Sequence, residues 1–326
     1  MRPTTATRRL ITQLLLGIPL LGASLAWSQT GYPNKPIRLV VPFPAGDPPD
    51  IYARAFAERV SPLLGQTIVI DNKPGAAGAI GAQEVAKSPA DGYHLLYASA
   101  ATMTIIPQLR KTPYDPVKDF EPVGTTVTGI MALTVNKAFP ANTWPEFVAE
   151  VKRNPRKYSI ISSGDGSFLH LSAMHLMSVA DIELLHVPYR QLGQGVTDLV
   201  AGSVNASLEM SASLPHVRAG TVKAILVFDD KPSPLLPGVS NLKEQGVKFG
   251  LKPWFGVLAP AGTPAPVLEK LQTAMAQVIP NDAVYRDKLP AGAYPMYVGG
   301  KDFTALMDNE RNAFGSVIRK LNLKLD

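Results

Sequence analysis

The chain has no cysteine. Disulfide staples, thiolate metal sites and thiol nucleophiles are therefore excluded, and 326 residues must be held by packing alone. Blocks of positive charge are also missing: beyond pairs such as Lys152-Arg153 and Arg156-Lys157, Lys and Arg are scattered, so nucleic acid is not expected as a partner. There is no internal repeat and no low-complexity tract. After the N-terminus no segment reads as a convincing membrane span. A G-x-S-x-G elbow is absent, since the serines around Gly164 and Gly166 stand at the wrong offsets. His170 and His175 are five apart, on different helix faces, with no acidic residue completing a metal site. Neither a cofactor nor a catalytic group is expected from these patterns.

What is present begins with Arg2, Arg8 and Arg9 ahead of an apolar stretch over residues 10–27, interrupted by Thr12, Gln13, Gly17 and Pro19. Small residues flank a cut near Ser28. The stretch is short for a membrane anchor and reads as a secretory signal over residues 1–28, which predicts an exported protein. Its removal leaves 29 basic against 26 acidic side chains, a mild net charge of +3.

The mature chain is long enough for two domains. Residues 37–59, IRLVVPFPAGDPPDIYARAFAER, read as a strand, a Pro- and Gly-rich loop and an amphipathic helix N-capped by Asp47 or Asp50. A strand that ends at a helix N-terminus leaves unpaired N–H groups aimed at one spot, which suits an anion; the same loop also fits a plain αβ connection. Strands at 67–71 and 94–98 with a helix at 80–88 continue the alternation and predict a parallel sheet covered by helices. Residues 107–122 break it. A second series follows, with strands at 129–135, 158–162, 183–188, 203–210 and 221–228, and helices at 143–153, 167–179 and 195–201. A strand at 254–258 and helices at 266–279 and 302–320 close the chain. The order predicts two α/β lobes joined by a two-segment hinge, one lobe from 29–125 and 226–326 and an inserted one from 126–225, with a ligand cleft between them.

Candidate binding residues sit in the loops at strand ends. In the first lobe these are Phe43, Ala45, Gly46 and Asp47, then Ser99, Ala100 and Thr102. In the second, Ser163, Gly164, Gly166 and Ser167 open a helix that carries His170, and Tyr189, Arg190 and Glu209 end two further strands. Arg190 offers the paired donors of a guanidinium for a carboxylate, or is a solvated residue over Tyr189. Glu209 is placed either to bind a ligand ammonium or hydroxyl or to pair with Arg190. Gly75, Gly78 and Gly81 lack the close glycine pair of a dinucleotide loop and read as a backbone turn.

Several longer motifs then fall into a known order: YPNKPIR at 32–38, VPF at 41–43, NKPGA at 72–76, DGY at 91–93, YDPVKDF at 114–120, HVPYR at 186–190, LPHV at 214–217 and WFGVLAPAGTP at 254–264. Together they resemble the Bug or TctC-like proteins, the extracytoplasmic solute receptors of tripartite tricarboxylate transporters, over essentially the whole mature chain. The resemblance implies a type II periplasmic binding fold, a monomer that closes around a small carboxylate, either a di- or tricarboxylate or an aromatic one, and hands it to an inner-membrane tripartite tricarboxylate permease. A sensor-kinase adaptor is the alternative use of the same closed surface, and a secreted enzyme a more distant one. The family's Gly-Gly-x-x-Asp loop is Gly46-Asp47-Pro48-Pro49-Asp50 here, which removes N–H donors and adds a negative charge where the family holds carboxylate. Its Lys-Gly after Pro-Tyr is Arg190-Gln191.

Overall fold

The computed structural model describes residues 31–209 and 212–324; the segment read as a signal, with Met210 and Ser211, lies outside the described residues. In chain order the strands are β1 (Ile37–Val41), β2 (Ile68–Asn72), β3 (His94–Ser99), β4 (Phe120–Gly129), β5 (Met131–Asn136), β6 (Ser159–Ser162), β7 (Leu185–Pro188), β8 (Ala206–Glu209), β9 (Val222–Val227), β10 (Trp254–Pro260) and β11 (Ala293–Pro295). The helices are α1 (Pro48–Leu64), α2 (Ala79–Ala86), α3 (Ile106–Leu109), α4 (Trp144–Arg153), α5 (Phe168–Ala180), α6 (Leu192–Ala201), α7 (Leu214–Arg218), α8 (Ala265–Val278), α9 (Ala283–Asp287) and α10 (Gly300–Leu321).

Strand β1 is apolar at Ile37, Leu39, Val40 and Val41, all fully buried, because helices cover both faces of its sheet. Helix α1 turns Ala53, Phe56, Ala57, Val60 and Leu64 inward along one stripe and stops at Gly65, whose φ of 71° only glycine adopts freely. Helix α4 starts at Thr143, whose side chain accepts the Glu146 amide at 3.4 Å, while the Glu146 carboxylate accepts the Asn142 amide at 2.7 Å.

The strands form two sheets, one ordered β11-β4-β10-β3-β1-β2 and the other β7-β6-β8-β5-β9. The parallel arrangement expected from the alternation holds for β1 with β2 and β3, and for β6 with β7 and β8. Elsewhere the sheets are mixed. Strand β10 runs antiparallel to β3 and β4, and β5 runs antiparallel to β8 and β9. The chain's crossings explain this: β4 leaves the first sheet and becomes β5 of the second with only Ile130 between, so the crossing strands run against those fed by covering helices. Strand β4 is absent from the strands that the sequence predicts, and begins within residues 107–122, where the alternation breaks.

Helix α10 touches both halves. Phe303 and Met307 pack with Leu96 and Leu258 of the first sheet, while Phe314, Val317 and Ile318 join Leu133, Ile160 and Leu171 around the second.

Candidate functional site

A cavity of about 650 Å³ opens where the loops after β1, β3 and β6 face one another. From the first sheet, Pro42, Phe43 and Pro44 after β1, Pro74, Gly75, Ala77 and Gly78 after β2, and Ser99 to Thr102 after β3 supply its floor. Ser163, Gly166, Ser167, Phe168 and Leu169 come from the second sheet's β6 loop and the first turn of α5. Pro253, Trp254 and Phe255 close it from the start of β10. The position matches the general preference for ligands beyond strand carboxyl ends.

Phe255 is the centre of an aromatic cluster, 6.1 Å from Phe43, 5.3 Å from Tyr52 and stacked 6.2 Å from Tyr97 by ring centroids, of which Phe43 and Phe255 reach the cavity. After β3 the chain makes one π-helical turn, Ala101–Ile105, a form that recurs at binding sites. The turn's Thr102 carbonyl accepts the Tyr114 hydroxyl at 2.6 Å, and the hydroxyls of Ser99 and Thr102 lie 3.0 Å apart. Gly78, at φ 90°, lies so close that a Cβ there would stand 3.0 Å from the Thr102 hydroxyl. Beside it Ala76 and Ala77 hold φ values of 47° and 53°, a strained pair in a wall segment.

The first turn of α1 is closed to ligands. Asp47 occupies the cap position without a side-chain cap bond, and Pro48 and Pro49 have no N–H. The buried Asp50 carboxylate accepts the Gly46 amide, the Arg54 guanidinium and the Asn72 amide, each at 2.9 Å. Burial alone would raise its pKa, but these bonds hold it below the usual carboxylate value. Ala45, Gly46 and Asp47 are exposed and do not line the cavity.

The α5 end is different. Ser167 caps the helix by accepting the His170 amide at 3.1 Å, and its carbonyl accepts the Leu171 amide. The amides of Phe168 and Leu169, first-turn residues in the wall, have no intrahelical acceptor.

Beneath this loop lies a group that the His170/His175 spacing does not show. Pairing of β6 with β7 brings His186 onto His170, the rings stacked 3.9 Å apart, with Asp165 close by. His170 Nδ1 accepts the Gly166 amide at 3.0 Å, and His186 Nε2 shares a hydrogen bond of 2.6 Å with Ser162 Oγ. The liganding atoms of Asp165, His170 and His186 lie within 4.8 Å of one another. Two ring nitrogens are already engaged, however, and stacked rings direct their lone pairs side by side instead of at one point. Ser162, His186 and Asp165 also form a serine-histidine-carboxylate series, with His186 Nδ1 at 3.5 Å from Asp165. Ser162 is fully buried and its oxygen accepts the Gly164 amide at 3.2 Å, so the series props the loop and leaves no accessible nucleophile. Only tertiary structure reveals it.

Burial, and then the His186 ring, lower the His170 pKa to about 4 against the opposing pull of Asp165. Between pH 4 and 6.5 the unfolded imidazole binds a proton that the folded one does not, so this residue's contribution to stability rises with pH across that window. The effect is on the order of 3 kcal/mol. Urea unfolding of the wild type and His170→Gln at pH 4.5 and 7 is expected to show the wild type gaining relative to the variant at the higher pH.

Of the other predicted residues, Phe43, Ser99, Ala100, Thr102, Ser163, Gly166 and Ser167 are brought together in the cavity wall. Gly164 sits in the supporting loop at φ 103°. Tyr189 donates to Asp198 at 2.6 Å and lies outside the wall. Arg190 is exposed and forms no ion pair among the described residues. Glu209 neither pairs with Arg190 nor lines the cavity: its carboxylate accepts the amides of Ala212 and Ser213 at 3.0 and 2.9 Å and the Ser213 hydroxyl at 2.8 Å. Wall residues that sequence reasoning missed are Ile106, Pro253, Trp254, Phe255, Phe168 and Leu169. The Pro74 to Gly78 turn, read as plain backbone, is also wall.

Comparison with known proteins agrees with this architecture. Residues 52–323 match the family model described as TctC, the tripartite tricarboxylate transporter family receptor. Protein BugT of Bordetella pertussis is 30% identical over 326 residues, covering 97% of this chain and 98% of BugT. A TctC solute-binding protein from Polaromonas superposes with a TM-score of 0.82 at 28% identity, over 89% of this chain and 100% of that one. The R. palustris protein Rpa4515, solved with adipate, gives 0.69 at 30% identity, over 90% and 99%. The chain thus belongs to the TctC family of tripartite tricarboxylate transporter receptors, two-lobed periplasmic solute-binding proteins.

Proposed function

We propose that this protein binds a small carboxylate in the cavity between its two sheets, closes around it, and delivers it to a tripartite tricarboxylate permease. The observation that carries the reading is the cavity itself. Loops from both sheets meet in it, its volume is that of a small-molecule site, and it presents hydroxyls and the open first turn of a helix. A ligand that touches both halves binds the closed form better than the open one, and that difference alone drives closure. The inserted lobe over residues 126–225 and the exported, monomeric state belong to the same reading. So does action by binding and not by turnover.

A thermal-shift screen of carboxylates tests it. A ligand at a hundred times its Kd is expected to add about 2.7 kcal/mol to folding stability. The gain is expected to vanish in Leu169→Pro, which removes one of the open first-turn amides of α5, and to persist in Arg190→Ala, whose side chain lies outside the wall. No shift with any carboxylate sinks the reading.

A further inference from the structure

We propose that the ligand carries a single carboxylate on an apolar body, an aromatic or medium-chain aliphatic monocarboxylate and not a di- or tricarboxylate; this rests on the receptor reading above. Two independent features of the chain point there. The first is the composition of the wall. Phe43, Phe168, Leu169 and Phe255 give it apolar surface, and none of the lining residues is Lys, Arg, Asp or Glu. Apolar ligand surface buried on these rings is favourable at about 25 cal/mol per Å². A charged group brought among them must find charge-assisted hydrogen bonds to replace its water.

The second feature is the distribution of donors. One carboxylate is served at the α5 side by the Ser163 hydroxyl and the open amides of Phe168 and Leu169. The opposite side offers less: one open amide, that of Ala101 at the start of the π-turn, and few hydroxyl protons. At the start of α1, Pro48 and Pro49 have no N–H, the Gly46 amide is taken by Asp50, and the Asp50 amide by the Asp47 carbonyl. The exposed Asp47 side chain adds a negative charge beside them. Ser99 and Thr102 bond to each other, so between them one hydroxyl proton remains, enough for a neutral polar substituent and too little for a second carboxylate. A dicarboxylate would bring its second charge against aromatic rings on a side with few donors. A monocarboxylate turns the same surface to advantage.

Calorimetric titration with two matched pairs tests this: hexanoate against adipate, and benzoate against phthalate, with hexanamide as the uncharged control. Hexanoate and benzoate are expected to bind at least about tenfold more tightly than their dicarboxylate partners, and hexanamide not measurably. Tighter binding of adipate or phthalate overturns the single-charge inference and leaves the receptor reading standing. Binding of hexanamide as tight as hexanoate, or of none of the five compounds, overturns the carboxylate reading itself. The double variant Asp47→Gly with Pro48→Ala restores a donor and removes the charge. It is expected to gain about tenfold in adipate affinity, and no gain overturns the role given to this loop.

Discussion

Replacing Trp254 with alanine is expected to lower folding stability by about 4 kcal/mol and to abolish ligand binding at micromolar concentrations. The indole is 1% exposed, its ring meets Phe303 edge-on at 4.8 Å, and its Nε1 donates to Glu310 Oε2 at 2.8 Å. Truncation opens a void between β10 and α10 and strips the Glu310 carboxyl of its best donor. In a chain of this size the loss corresponds to a melting point lower by about 6 °C, read by calorimetry. Trp254→Phe keeps the ring and loses only the N–H, so it is expected to cost about 1 to 2 kcal/mol and to retain binding. Equal destabilisation by both variants would show that the hydrogen bond, not the packing, carries the effect.

A second large effect is expected at Glu310 as pH rises. This side chain is fully buried, with one oxygen taking the Trp254 indole and the other lacking a partner among the described residues. Burial drives its pKa up to about 8, against the lowering pull of its hydrogen bonds. Below pH 4.5 the carboxyl is protonated folded and unfolded alike. From 4.5 to 8 the folded chain keeps a proton that the unfolded chain releases, so stability falls with rising pH through that window and levels off above it. The loss is on the order of 4 kcal/mol, opposite in sign to the His170 effect at lower pH. Glu310→Gln, which stays neutral and can still accept the indole N–H, is expected to flatten the fall. Urea melts from pH 5 to 8.5 decide it, because parallel curves for variant and wild type would place the proton elsewhere.

The parts of this molecule legible in the sequence are those with a local cause. Ile37 to Val41 and the stripe along α1 announce themselves by period, and the loops holding Phe43, Ser99 and Ser163 follow from the rule that ligands sit beyond strand ends. What escaped depends on distant partners. Strand β4, with Thr125, Thr126 and Thr128 among its ten residues, has no apolar run to mark it and is defined by pairing with β10 and β11, more than a hundred residues on. Trp254 and Phe255 enter the cavity at the start of an antiparallel strand, the end that the rule for parallel strands ignores. Glu209 and Asp50 look alike in sequence as acids near turns. Glu209 is consumed by nearby backbone amides, and Asp50 by the Gly46 amide with the Arg54 and Asn72 side chains, which only the folded geometry reveals.

The last long helix has a mechanical meaning. At 22 residues α10 is a rod about 33 Å long, clamped at Phe303 among first-sheet side chains and, at Phe314, held 5.5 Å edge-on against Phe168 beneath the second. In the proposed closure, the two halves cannot move without sliding along such a rod or levering it. On that reading the resting angle of the jaws is set in part by a helix that contributes no residue to the wall between them. Lengthening or loosening that rod would retune affinity from outside the site, by changing the work of closure and leaving every ligand contact as it was.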